Sequence, residues 1–216
     1  MTVNPKKTIA IRPYLEMNVG QALQNFRTVP VSLGDNHTKA FLSVYSANYD
    51  IDASYEMFCY PTDTFKMMVY TDQGEVLWKR DLGPGVCPGT AFSTFFAFDL
   101  DQDGVDEVWF VNNLDPIHPF NYQQYVLERV DALSGKTTGQ WPWPQTDINQ
   151  YFGEFFRCHI FGAYAKGEPV LITVQGTYGL MQFQAWKPDM TLRWEKTIDK
   201  NEPGARGGHN YPVFDI

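Results

Sequence analysis

One order of short β-prone segments recurs along the chain, and that order limits the fold more than any other feature. Three stretches read as hairpins: FKMMVYT-DQG-EVLWK from Phe65 to Lys79, YVLERV-DALSGK-TTGQW from Tyr125 to Trp141, and MQFQAW-KPDM-TLRWEK from Met181 to Lys196. Asp-x-Gly, Ser-Gly and Pro-Asp supply turn chemistry between runs that alternate apolar and polar. Each hairpin ends near a Trp (Trp78, Trp141, Trp194). Each follows a second kind of segment, in which an apolar pair leads through a loop into an almost wholly apolar strand. These segments are VSLGDNHTKAFLSVY from Val31, FDLDQDGVDEVWFV from Phe98 and IFGAYAKGEPVLITV from Ile160. FDI at Phe214 repeats the opening of the same segment.

Recurrence in fixed order predicts an all-β chain of β-propeller blades, about three of them, where a sandwich has no reason to repeat its parts. The expected division is an N-terminal segment over 1–28 and blades over 29–216. Units start near 31, 98 and 160, and a fourth opens at 214, so the propeller is expected to be incomplete. The continuously apolar strands belong inside and the alternating hairpin strands outside. The exposed edges of an open propeller predict association with another chain. Helical periodicity is confined to VGQALQNF, a short helix expected over Val19 to Phe26.

Composition narrows the partners. At 216 residues, 44% hydrophobic and 16% aromatic, the chain can bury a core. A net charge of −8 leaves no basic footprint for nucleic acid. No apolar run is long enough to span a membrane, and the N-terminus lacks the apolar stretch of a signal peptide. Cys59, Cys87 and Cys158 form neither a zinc knuckle nor a disulfide framework and read as buried thiols, with a Cys59–Cys87 bridge as the alternative.

FDLDQDGVDEVWF crowds five acids into nine positions. Asp99, Asp101 and Asp103 alternate, Gly104 permits a sharp turn, Val105 offers a carbonyl, and Glu107 follows two residues later. Hard oxygen donors at that spacing predict a structural Ca2+ loop. Asp106 is expected to point away from it. The absence of a glutamate at the twelfth position separates the loop from an EF-hand. The corresponding loops, SLGDNHTK and GAYAKGE, carry too few acids to do the same.

FDLDQDGVDEV resembles the FG-GAP or VCBS-type calcium loops of propeller blades. The stretches QGTYGLMQFQAW, TLRWEKTI and GARGGHNYPVFDI are similar to the propeller polysaccharide lyases that act on rhamnogalacturonan or ulvan. The likeness covers about Phe95 to Ile216. It implies a secreted lyase that cleaves an acidic polysaccharide by β-elimination. The residues suited to that chemistry are His209 beside Arg206 in a glycine-rich stretch, Tyr178 in QGTYG, His159 in RCHIFG and His118 between prolines. Arg206 suits a carboxylate, and the histidines and Tyr178 suit proton transfer. His37 is expected at the surface. Trp143 is the aromatic chosen to stack sugar, while Trp141 is assigned to the core. The alternatives are a non-catalytic propeller module that binds carbohydrate or protein, and a fragment without activity.

Overall fold

Period-two burial begins before the first strand. In the computed structural model, which describes residues 10–35, 38–51, 61–89, 92–117, 121–144, 157–177, 179–199 and 201–203, Leu15, Met17 and Val19 are half-buried while the residues between them are exposed. These three side chains pack on Tyr45, Met68 and Tyr70. The segment is therefore an extended strap, and the helix expected over Val19 to Phe26 does not form. Gly20 sits at φ 83°, with its N–H bonded to Asn18 Oδ1 at 2.8 Å, a conformation that no helix accepts.

Twelve strands follow: β1 (Asn25–Val31), β2 (Ala40–Ser46), β3 (Lys66–Thr71), β4 (Val76–Asp81), β5 (Phe95–Phe98), β6 (Glu107–Asn113), β7 (Tyr125–Asp131), β8 (Thr137–Pro142), β9 (Cys158–Ala165), β10 (Glu168–Gln175), β11 (Met181–Trp186) and β12 (Leu192–Ile198). They form three four-stranded antiparallel sheets, each in sequence order. One 3-10 turn (Tyr122–Gln124) is the sole helical element among the described residues. The three expected hairpins are β3–β4, β7–β8 and β11–β12. The apolar strands β2, β6 and β10 lie second in each sheet, buried between neighbours.

Strand register shows which residues correspond. Val29–Leu42–Val69–Trp78 lie in one row across the first sheet. Phe96–Trp109–Arg129–Gly139 and Phe161–Ile172–Ala185–Trp194 are the matching rows in the second and third. In all three, the third and fourth strands shift register directly after this row. Trp78 and Trp194 therefore match, but Trp141 does not, and Gly139 stands in its place. A Cβ on Gly139 would lie 2.2 Å from the Trp141 ring, so the indole folds back over the glycine. The third unit has no loop like the other two. β9 continues through FGAYA and turns at Lys166 (φ 58°) and Gly167 (φ 83°), the two left-handed residues of a tight hairpin.

The sheets stack face to face. Strand β5 lies against both β1 and β9, bringing the first strands of the sheets together. This arrangement is compatible with propeller blades. One apolar cluster fills the first seam, around Leu42, Met67, Val108 and Phe110. Another fills the second, around Trp109, Leu127, Cys158 and Leu171. Trp143 belongs to the second cluster, 3% exposed, with its indole N–H donating to Gln175 Oε1. It is a core residue and offers no face to a sugar. Trp141 is half-buried and packs against the same cluster, so both tryptophans serve the core. Cys87 and Cys158 are buried, and Cys59 lies outside the described residues.

A carboxylate is buried in the first seam. Glu128 on β7 is fully withdrawn from water. It accepts hydrogen bonds from Asn112 Nδ2 (2.7 Å), Thr137 Oγ1 (2.7 Å) and Gln140 Nε2 (2.8 Å), and pairs with Arg80 Nη2 of β4 at 2.8 Å. Burial alone would raise its pKa, but the three donors and Arg80 outweigh it and hold the carboxyl below its ordinary value. A lowered pKa stabilises the fold above the unfolded value of 4.5, and that contribution fades as pH falls through the folded value. Arg80→Met should therefore cost about 3 kcal/mol at pH 7 by urea unfolding. The deficit should shrink as pH drops below about 4.5.

Candidate functional site

The acidic loop begins where β5 ends. Its backbone turns on Gln102 (φ 62°) and Gly104 (φ 94°), and the carboxylates fold back onto the loop's own amides. Asp99 accepts from Asp103 N (Oδ1, 3.1 Å) and Gly104 N (Oδ2, 3.0 Å). Asp101 Oδ1 accepts from Asp103 N at 3.2 Å, and Asp103 Oδ1 from Val105 N at 2.8 Å. One oxygen each from Asp99, Asp101 and Asp103 lies within 4.8 Å of the others. Three like charges at that range repel unless a cation sits among them.

Glu107, the first residue of β6, faces the same group. Its Oε2 accepts from Leu100 N at 2.9 Å. Burial pushes its pKa up to about 7, against the Leu100 bond, and the charge of Asp101 adds to the rise. A cavity of about 220 Å³ opens beside these acids, walled also by Arg129, Asp131 and Thr138. Arg129 stacks over Trp109 and Trp141 at 5.8 and 5.5 Å and donates through Nε to Thr138 Oγ1 at 2.9 Å. The donor set is all oxygen and anionic, the chemistry that suits calcium.

Asp106 has a different task. Its Oδ2 accepts from Ser32 N at 2.7 Å, and its own N–H donates to Ser32 O at 2.9 Å. Ser32 Oγ adds a bond to Gly104 O at 3.0 Å, and Leu33 bridges Val105. Gly34 packs so close that a Cβ there would come 2.9 Å from Val105 Cγ2. The loop is thus fastened to the first sheet, and Asp106, expected to point away, is half-buried in that contact.

Of the proposed proton-transfer residues, His159 is described. It stands near the start of β9, opposite Val174, half-buried. His118, Tyr178, Arg206 and His209 lie outside the described residues. The β6–β7 and β10–β11 connections, which carry His118 and Tyr178, leave their sheets at the end away from the acidic loop. Phe98, just before that loop, packs on Gly162 and Tyr164 in the second half of β9. Three to five residues of strand, about 10 to 16 Å, separate His159 from that contact. The loop and His159 therefore belong to opposite ends of the sheets.

No family model and no curated protein sequence matches the chain. Solved structures do. The chain resembles the exotype rhamnogalacturonan lyase YesX over 84% of its length and 35% of that enzyme, with 18% identity and a TM-score of 0.66. It matches the Bacillus licheniformis rhamnogalacturonan lyase PL11 over 87% of its length and 38% of that chain, with 17% identity and a TM-score of 0.68. The rhamnogalacturonan lyase YesW gives 18% identity and a TM-score of 0.65, over 83% of this chain and 36% of the enzyme. At such identity the likeness is one of fold, and the chain spans little more than a third of those enzymes.

The Ser32–Asp106 contact can be tested alone. Asp106→Ala removes the acceptor of the Ser32 N–H and should cost about 1 kcal/mol in urea unfolding. It should also speed amide exchange at Ser32 relative to β2. Unchanged exchange would show that the contact does not hold the loop.

Proposed function

We propose that the chain is a set of about three propeller blades of a polysaccharide lyase-like protein, acting on an acidic polysaccharide of the rhamnogalacturonan or ulvan type. The observation that carries this reading is the fold match to three rhamnogalacturonan lyases over more than four fifths of the chain. The acidic loop gives independent support for the calcium part. Asp99, Asp101 and Asp103, with Glu107 and the Val105 carbonyl, would hold the ion. Bound there, Ca2+ would neutralise the crowded carboxylates and stiffen the loop that joins the first two sheets. Its place at the end away from His159 favours a structural role.

The proposed reaction is a β-elimination. A cationic group first pairs with the uronate carboxylate and acidifies the proton on C5. A base removes that proton, and the electron pair left behind forms the C4–C5 double bond. The O4 bond breaks, and the leaving oxygen takes a proton from an acid. Arg206 suits the first task. His209, Tyr178, His159 and His118 are the candidates for the other two.

Two measurements test this. Mixing the protein with rhamnogalacturonan should raise the absorbance of an unsaturated uronate, and His209→Ala or Tyr178→Phe should lower the rate at least a hundredfold. Polymer binding without any absorbance change would instead identify a non-catalytic carbohydrate module. Separately, millimolar Ca2+ should raise the melting temperature by several degrees and chelator should reverse it. Asp101→Asn with Asp103→Asn should abolish that increment, and an increment that survives in the double variant would place the ion elsewhere.

A further inference from the structure

The first sheet has a second face that the seam does not use. Along it, Phe26 stands opposite Tyr45, Thr28 opposite Ser43 and Pro30 opposite Phe41, and Met68 and Tyr70 continue the last two rows. The strap crosses this face and covers one side of it. Leu15 Cδ1 lies so near the β3–β4 turn that a Cβ on Gly74 would come within 3.2 Å of it, and Tyr14 Oη donates to Asp72 Oδ2 at 2.9 Å. Between the strap and β1 lies a cavity of about 390 Å³, within the roughly 300–1,000 Å³ of small-molecule sites. Its rim is accessible: Tyr14, Leu23 and Phe26 are 73%, 42% and 46% exposed.

The lining decides what can enter. Among the described residues, no charged side chain belongs to it. Tyr14, Phe26, Phe41 and Tyr70 supply four rings, and the centroids of Phe41 and Tyr70 lie 5.7 Å apart with the planes tilted by 34°. Flat apolar walls of this kind suit the C–H faces of a ring-shaped ligand. The polar groups form a chain of three hydroxyls. Thr28 Oγ1 lies 2.7 Å from Ser43 Oγ, and Ser43 Oγ donates to Tyr70 Oη at 3.2 Å. A hydroxyl has one proton to give. Ser43 gives its own to Tyr70, so the shorter contact needs the Thr28 proton. That leaves free lone pairs on Thr28 Oγ1 and a Tyr70 proton with no acceptor among the described residues. Both residues line the cavity. A wholly apolar ligand would leave the phenol O–H unpaired, and an anion would enter with no cation to pair it.

We propose that this cavity binds a neutral sugar unit, a 6-deoxyhexose above others, on the face of the first sheet away from the seam. The rings cover the C–H faces and the methyl group of such a sugar, while its hydroxyls donate to Thr28 and accept from Tyr70. The uncharged lining turns a uronate away. Neither the acidic loop nor His159 contributes to the cavity, so the site is separate from both. The inference rests on the polysaccharide reading for the source of the sugar, and not on lyase chemistry.

The test is NMR of the full chain with methyl rhamnoside, a neutral 6-deoxyhexose glycoside, against the methyl glycoside of galacturonic acid. Methyl rhamnoside should receive saturation from the protein and shift the amides of residues 26–28, 41–43 and 68–70, with a Kd of about 1 mM. The uronate should bind at least tenfold more weakly. Phe26→Ala, at an exposed position, should melt close to the wild type and bind methyl rhamnoside about threefold to tenfold more weakly. Thr28→Val, which removes the free acceptor, should lose a similar factor. No saturation transfer, equal binding of the uronate, full binding by Phe26→Ala, or shifts confined to other residues overturns the inference. So does dimerisation that Phe26→Ala abolishes while the sugar fails to bind, which would mark the face as a contact between copies. Glycoside binding by a protein that releases no unsaturated product ends the lyase reading and leaves this one standing, and product without glycoside binding does the reverse.

Discussion

The Glu128 carboxylate, wholly withdrawn from water between the first and second sheets, sets a condition that its surroundings must meet. A lone buried anion is far too costly to keep, so β6, β8 and β4 each supply donors: Asn112, Thr137 with Gln140, and Arg80. That requirement fixes the register of three strands at once. It also ties the outer edge of the first sheet to the second, alongside the Trp78 indole bond to Ala132 O at 2.7 Å. Lower in the same seam, Asp106 and Ser32 repeat the device with backbone amides. The Glu128 and Asp106 carboxylates of the seam are thus each met by donors, which aligns the sheets more sharply than apolar contact alone.

Much of this was legible in the residues and some was not, for physical reasons. Hairpins and central strands were readable because turn chemistry and period-two alternation are local. The acidic loop was readable because alternating aspartates before a glycine have few other uses. The roles of Trp141 and Trp143 were not, because they depend on Gly139 and on a partner, Gln175, in another sheet. The third loop was misread because Lys166–Gly167 closes a turn with too little sequence to signal it. The helix expected over Val19 to Phe26 does not form because Gly20 turns the chain at φ 83° and β1 begins at Asn25.

The two ends of the sheets differ in what they hold. One holds the acidic loop, the hairpin turns and the fastening between sheets. The other holds Arg27 and His159. On the proposed reading, a metal at the acidic loop would steady the scaffold while the opposite end would meet the substrate.

That division can be observed directly. Backbone amide NMR of the calcium-loaded protein, titrated with a rhamnogalacturonan oligosaccharide, should show shifts at residues 26–28, 41–43 and 68–70 around the groove and at 158–160, with residues 99–107 unmoved. Shifts centred on residues 99–107, with the others absent, would place the sugar at the acidic end and contradict the account.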